Sequence, residues 1–568
     1  MKQLYTSLVL SAFFFMSAYG QSTYNEVYQI LQNNCTTCHN STDALGGLDL
    51  SLDPTTLYAN LVDTDPVNST AQAKGDKMID PGYPARSFLM RKLAYSAWDD
   101  YYSLDMGEGT PMPLGEPSLE KKEVELIRQW ILAGAPFNDE VIDPTILEDF
   151  FDNGMALPGV TAPPAPDPSE GYQLRLGPFF LTPFQEREIF LKHDLRLDEG
   201  TEVHKIEVNF NIESHHFIIY QLEQGAGQFY PEGLRDIEDG EFAMLNNTFV
   251  AAWQDDNPYD LPDGTAYLWE GGTELDLNYH LVNYYSSGIL PAEVYVNIYT
   301  QDEGTADQKM WSLIVPIDIS NVITGNGNVG ESLVIPNNGD EITFSEPLLI
   351  PPLPFPLPFP GGTWHIWMLS SHTHARGTDY DIYKRNFNGT KGEQLYEGFY
   401  DFSYQFNQGY YDWSHPPIRF FDPPVAVDMG ITGGVIHEAK YVNNTDETLY
   451  WGNSVDDEMM LFFIQFTEQP FISTGIEEIE EVSAFDVFPN PFEEQCSIRL
   501  TIDRPSEVTL EIVDVLGAKV STIVEGLQPP GTFHFVLDNS NFPAGSGVYF
   551  VRLSANGQTT SQKIVRIR

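Results

Sequence analysis

Cys35-Thr36-Thr37-Cys38-His39 sets two thiols in a Cys-x-x-Cys pair with an imidazole directly behind them. That is the attachment pattern of a c-type haem. The thiolates add to two vinyl groups, and the adjacent imidazole reaches the iron from the same short helix. A zinc or redox Cys-x-x-Cys has no need of the following His. The sixth iron position is usually taken by Met or His. Met112, in TPMPLGEPSLEKKEVELIRQWILAGAP, is the favoured candidate because it stands in a loop just ahead of a predicted helix, with Met78, Met90 and Met106 as alternatives.

A second group of ligand types lies further on. Nine of the twelve histidines fall between His204 and His437, in a region without cysteine. His372-Thr373-His374 on a strand puts both imidazoles on one face, about 7 Å apart at the backbone, so both can reach one metal. His215 and His216 are adjacent and point to opposite faces of a regular strand, so they share a metal only where the backbone bulges. His280, in LNYHLVNY, is the third feature. Imidazole suits Cu, Zn, Fe or Ni, and a thioether added to imidazoles points to copper.

The hydrophobic pattern indicates which helices and strands carry these residues. Residues 22–140 read as helical, most clearly Leu119 to Ala133, where Val124, Ile127, Trp130 and Ile131 recur at helical spacing, Ser118 can cap the start and Gly134 the end. The Pro-rich run from Leu157 reads as part of an extended linker over 141–172. Short alternating strands separated by turns then fill 173–320 and 321–467, which predicts two tandem antiparallel β-sandwiches. PPLPFPLPFPGG within the second must be a loop, since proline cannot sit in a central strand. A linker at 468–484 leads to a last small β-sandwich over 485–568. The expected fold is therefore multidomain: a small all-α domain, two jelly-roll-like sandwiches and a small C-terminal sandwich.

The chain has 568 residues, with 82 Asp plus Glu against 29 Lys plus Arg and a net charge of −53. A deficit of clustered cations argues against nucleic acid as a partner. Residues 1–20, with Lys2, an apolar run from Leu8 to Met16 and Ala18-Tyr19-Gly20, read as a secretory signal peptide, and no later run is apolar and long enough to span a membrane. Cys35, Cys38 and Cys496 are too few for a disulfide framework.

Three resemblances refine this reading. CxxCHN, GGLDLS, DPGYPARS and the MPxG to LIRQWIxxGA stretch resemble the short cytochrome c domains of large exported bacterial proteins. Over roughly 173–467 the order of motifs resembles the copper type II, ascorbate-dependent monooxygenases: His215-His216-Phe217, Asn278-Tyr279-His280, His372-Thr373-His374-Ala375-Arg376-Gly377 and Asp457-Glu458-Met459. The family's disulfides are missing, and Met460 replaces the cysteine after the ligand. From Phe485, FDVFPNPF, VTLEIVDVLGAKV and GVYFVRLS to a basic end resemble the C-terminal sorting domain of the type IX secretion system.

The monooxygenase resemblance implies two coppers across a solvent-filled cleft. One, at His215, His216 and His280, would pass on an electron. The other, at His372, His374 and Met459, would bind dioxygen and take hydrogen from a substrate C–H bond. Ser370 and Phe463 stand where the peptide-hydroxylating branch has an Arg and a Tyr for its substrate's carboxylate, so a small organic substrate other than a peptide C-terminus is expected, with Trp364, Trp367, Phe462 and Phe463 as candidate apolar lining. The expected cofactors are two copper ions and one covalently attached haem c feeding them. The partners are dioxygen, the substrate, an external reductant such as ascorbate or a redox protein, and the type IX secretion machinery. The expected location is the outside of a Gram-negative cell, reached through the periplasm. The competing reading is a non-catalytic extracellular haem and copper protein for electron transfer or copper capture.

Overall fold

The side chain of Ser22 accepts the Asn25 N–H and starts the helix Thr23–Cys35 in the computed structural model of the protein. The structure describes residues 22–471 and 482–566, less 95–101, 116–117, 237–246, 254–258, 324–326, 351–356, 358, 375, 400–417, 453–456, 489, 491, 493–494, 503, 515–518, 539–540, 543–546 and 556–557. The expected signal peptide lies outside the described residues.

Tyr24, Val27 and Leu31 on this first helix pack against Val124, Ile127, Trp130 and Ile131 of the helix Lys121–Leu132, all of them buried. The second helix begins later than its pattern predicts. Its cap is Glu120, not Ser118, because Glu120 and Glu123 close a reciprocal capping box in which each carboxylate accepts the other's backbone N–H. Gly134 ends it at φ 86°, as expected, and the Ala135 N–H reaches back to the Trp130 carbonyl at 2.8 Å.

The helical residues are tied into the first β-sheets. Arg128 and Glu125, both buried in the same helix, pair with each other, and Arg128 donates to the Gly177 carbonyl at 3.0 Å. Gln129 donates to the Pro178 carbonyl at 2.8 Å. Phe180 and Ile289 lie in the helical core, and Leu132 lies in the core of the next layer. Residues 1–471 accordingly form one compact unit, and 472–568 a second. An isolated all-α domain is not what the contacts define.

Within the stretch read as linker, Asp143 caps a further helix, Pro144–Phe151, with proline in its first turn. The prolines after it run extended beside two strands. Their carbonyls are taken by side chains, Gln173 Nε2 to Pro163 O at 3.1 Å and Asn297 Nδ2 to Pro164 O at 3.0 Å.

The next 150 residues or so make two sheets over a shared apolar core. One sheet is built on the strands Gly171–Leu181, Leu290–Asp302 and Thr201–Phe210. The other runs in the order Leu234–Asp236, Glu186–Asp194, Glu274–Val282, Ser214–Leu222 and Asn247–Trp253. A second pair of four-stranded sheets comes after it. One contains Trp311–Pro316, Leu461–Thr467, Thr363–His372 and Arg419–Asp428, the other Glu341–Leu348, Val435–Val442, Gly377–Arg385 and Lys391–Phe399. Trp364 stacks on Phe466 at 3.8 Å inside this second core.

The two sandwiches touch each other, the edge strand Asn247–Trp253 of one lying near the edge strand Trp311–Pro316 of the other. Gln465 donates to the Val250 carbonyl at 2.5 Å and the Tyr267 hydroxyl at 2.8 Å, and the rings of Phe249 and Phe463 lie 4.5 Å apart. The second unit is a three-stranded and a four-stranded antiparallel sheet closed over Ile498, Leu510 and Val551, the small sandwich that the alternating pattern predicts.

Candidate metal centres

Three residues on three adjacent strands form a row across the sheet of the first sandwich. Glu188 stands opposite His280, and His280 stands opposite His216. Residues directly opposed in an antiparallel pair share a face, with Cβ atoms about 4.5–5.5 Å apart. One ligand atom from each of the three lies within 4.8 Å of the others, and the two imidazole centroids are 5.1 Å apart. The register of Ser214–Leu222 slips between Ser214 and His216, so His215 is an extra residue in the ladder. Such a bulge is what an adjacent His pair needs to serve one site. The His215 side chain lies outside the described residues.

Neighbours fix how these rings sit. Asn278 donates its amide to Glu188 Oε1 at 3.0 Å and to the Ile189 carbonyl, so its Oδ1 accepts Nε2–H of His216 at 2.9 Å. Nε2 of His280 meets Glu186 Oε1 at 2.9 Å. Burial pulls the His280 imidazole down, but the bond to Glu186 and the charge of Glu188 outweigh it and raise its pKa. Burial likewise penalises the Glu188 carboxylate, yet His216 and His280 hold it well below the usual range. Sequence reasoning missed Glu188. Nothing in the strand EREIFLKHD marks Glu188 as a ligand, and only the cross-strand register reveals what faces what.

The second group sits at the end of the strand Thr363–His372. His372 and His374 have ring centroids 5.3 Å apart in an edge arrangement. Met459 is bracketed by their partners: Leu461, two residues on, pairs with His372, and the Asp457 carbonyl, two residues back, accepts Nδ1–H of His374 at 3.0 Å. A carbonyl only accepts, so the proton is on Nδ1 and the Nε2 lone pair is available as a metal ligand. Glu458, fully buried, accepts three backbone N–H groups, from His374 at 3.0 Å, Arg376 at 2.6 Å and Met459 at 3.3 Å. Burial pushes its carboxyl up to about 7 in spite of them. Gly377 is required by close packing, since a Cβ there would lie 2.0 Å from Thr373 Oγ1.

The two groups act on each other electrostatically. Burial first, then repulsion from His374 and His216, keeps His372 neutral, with Glu188 opposing the shift. His374 is lowered mainly by burial and also feels Glu188 and His280. Ser370 and Phe463 are cross-strand partners, and Phe463 is covered by Phe249 of the first sandwich. Of the four aromatic residues singled out in the sequence, Trp364 and Phe462 belong to the second core, whereas Trp367 and Phe463 share a cluster with Met459. His437 is buried away from these groups and bonds the Tyr380 hydroxyl at 2.7 Å. His415 lies outside the described residues.

Cys35 ends the first helix, and the backbone N–H groups of Cys38 and His39 both return to its carbonyl. None of the three cysteines pairs in a disulfide. Burial, then Glu123, pushes the Cys35 thiol up to about 11, the opposite of an activated redox dithiol. His39 Nδ1 is buried with no hydrogen-bond partner among the described residues. Met78 and Met112 pack on the same core as Cys35, whereas Met90 is fully buried and Met106 fully exposed. Cys35 and Met112 border one core, with Cys38 and the unpartnered imidazole of His39 in the turn just beyond the helix, a donor set that fits a haem c.

Residues 486–568 match the family model of the secretion system C-terminal sorting domain. The chain therefore carries a type IX sorting domain and is an exported or cell-surface protein. No helix among the described residues is long and apolar enough to cross a membrane. No curated protein matches the chain. Among solved structures it is similar to PorZ, a type IX secretion component of Porphyromonas gingivalis, at 16% identity over 21% of this chain and 15% of that one, with a TM-score of 0.13. It is also similar to a Ruminococcus gnavus β-glucuronidase, at 10% identity over 46% and 44%, with a TM-score of 0.17. A Bacteroides fragilis protein of β-galactosidase type gives 14% identity over 39% of this chain and 32% of that one, with a TM-score of 0.16. The chain thus spans less than half the length of each, and the sites must be read from their own residues.

Proposed function

We propose that the protein is an exported copper-dependent monooxygenase that hydroxylates a C–H bond of a small organic substrate with dioxygen, drawing electrons through its haem c segment. The observation that supports it most is the gathering of ligand side chains into two close pairs, His216 with His280 at 5.1 Å between ring centroids and His372 with His374 at 5.3 Å. A lone histidine is commonly a satisfied core residue. Two such close pairs, one with the buried Met459 in the segment that holds it, are more than packing requires.

In this reading His215, His216 and His280 hold one copper, His372, His374 and Met459 the other, and Cys35, Cys38, His39 and Met112 the haem. When bound, these groups supply one-electron storage and the activation of dioxygen. The chain's own residues do the positioning. Asp457 fixes the tautomer of His374, Glu458 ties the loop after His372 to the segment bearing Met459, and Asn278 and Glu186 orient His216 and His280. The neutral state of His372 keeps its lone pair ready for a metal. Ser370 and Phe463 offer no cationic fork, so an apolar or aromatic substrate suits this face better than a carboxylate.

Oxygen uptake by the copper-loaded full chain, driven by ascorbate across a panel of small aromatic and aliphatic compounds, tests the reading. Substrate-stimulated uptake that disappears in His372→Ala supports it. Uptake that is absent for every compound, with both coppers bound, leaves a haem and copper protein for electron transfer.

A further inference from the structure

The metal expected at His216 and His280 is a copper held by imidazoles alone. The register adds a carboxylate. Glu188, His280 and His216 are successive partners on the strands Glu186–Asp194, Glu274–Val282 and Ser214–Leu222, all on one face. Their ligand atoms lie within 4.8 Å of one another, and Glu188 Oε1 is 3.4 Å from His216 Nε2. Among the described residues this is the group of three His, Cys, Asp or Glu side chains with metal-site spacing. Ligands at about 2.0–2.2 Å from one ion fall into such spacing with only rotamer-scale adjustment.

We infer that Glu188 is a direct ligand of the first metal, making the site two imidazoles and one carboxylate. This rests on the metal-binding reading of the His216–His280 pair. The surroundings are built for it. Asn278 donates to Glu188 Oε1 and so aims the carboxylate toward His216, and Glu186, two residues before Glu188 on the same face, takes the His280 Nε2 contact. Without a metal these contacts close the row on the Nε2 atoms of His216 and His280, and an ion bound at Nε2 beside Glu188 would replace them.

The consequence is chemical. A hard, anionic oxygen favours a divalent first-row ion over a monovalent one. The site would prefer Cu(II) to Cu(I), its potential would be lower than that of an all-imidazole site, and it would also accept Zn(II). Electrons would then leave it readily toward the His372–His374 group.

The test is Cu(II) titration of the copper-stripped, haem-bearing full chain, followed by bound-metal stoichiometry and electron paramagnetic resonance. Glu188→Gln should weaken the first-site Cu(II) at least tenfold, change its resonance parameters and raise its reduction potential, while the site at His372, His374 and Met459 still fills. That second filling serves as the internal control for folding. If Glu188→Gln is poorly folded, Glu188→Asp keeps the charge but withdraws it by one methylene, and a changed Cu(II) signal is again expected. Unchanged affinity and signal in both variants, with loss in His215→Ala, overturns the role of Glu188 and leaves the two-copper reading standing. A wild-type chain that takes up no copper at His216 and His280 overturns both.

Discussion

The Asp457 carbonyl oxygen accepts Nδ1–H of His374 at 3.0 Å, while the next residue, Glu458, accepts the His374 backbone N–H. Ring and backbone of one candidate ligand are thus held by two consecutive residues, and the third is Met459. A short segment ties the histidine loop to the methionine without any metal.

Glu458→Gln tests this tie. The change puts an amide NH₂ where a carboxylate now accepts three backbone N–H groups. Gln keeps one acceptor oxygen and sets an NH₂ at the other, so at least one buried backbone N–H loses its acceptor, at a cost of about 1–3 kcal/mol. Urea denaturation should show that loss, and bound copper should fall by one per chain, from the His372 site alone.

The helical segment is predicted to be locked to the first sandwich by a buried ion pair. Glu125→Ala leaves Arg128 charged and uncompensated against the Gly177 carbonyl, at a cost of about 3–5 kcal/mol. Arg128→Met with Glu125→Leu should restore much of it. Proteolysis near the Pro-rich stretch should be faster in the single variant and return toward normal in the double one. Equal losses in both would refute a desolvated pair.

Acid should destabilise the second sandwich through His437. Burial pushes its imidazole down to about 3 from an ordinary 6.5. The unfolded chain therefore binds the proton first, so His437's contribution is complete above about pH 6.5 and is lost as pH falls toward 3, by at most about 5 kcal/mol. His437→Gln, which keeps a partner for the Tyr380 hydroxyl, should flatten the melting temperature across that same pH window. An acid limb as steep as in the wild type would assign it to other groups.

Met112 and Met78 both border the Cys35 core, and the haem reading assigns the sixth position to Met112. Met112→Ala should convert the haem from low spin to high spin or to a new sixth ligand, visible in the absorption spectrum, while Met78→Ala leaves the spectrum unchanged. The reverse outcome moves the ligand to Met78.

Which features are legible in the sequence depends on how local each signal is. Cys35 to His39 lies within one helix end, and His372-Thr373-His374 lies within three residues, although the strand ends at His372 and His374 stands in the loop beyond it, so period two is not what brings the rings together. The alternation that predicts sandwiches is equally local. Glu188 is not legible, because its meaning comes from strands about 30 and 90 residues away in the chain, and register is a tertiary property. The same holds for Arg128, whose helical pattern gives no hint that it bonds Gly177. Ser118 loses the cap to Glu120 because a reciprocal pair satisfies two orphan groups where a serine satisfies one.

The two-copper, one-haem assignment is tested most directly by metal content with optical and paramagnetic spectroscopy on the full chain matured in a periplasm that attaches haem c, beside Met459→Ala. One haem and two coppers per chain are expected, with the variant keeping the haem and the first copper and losing the second. One haem and no copper in the wild type would contradict the assignment, leaving a cytochrome joined to two metal-free sandwiches.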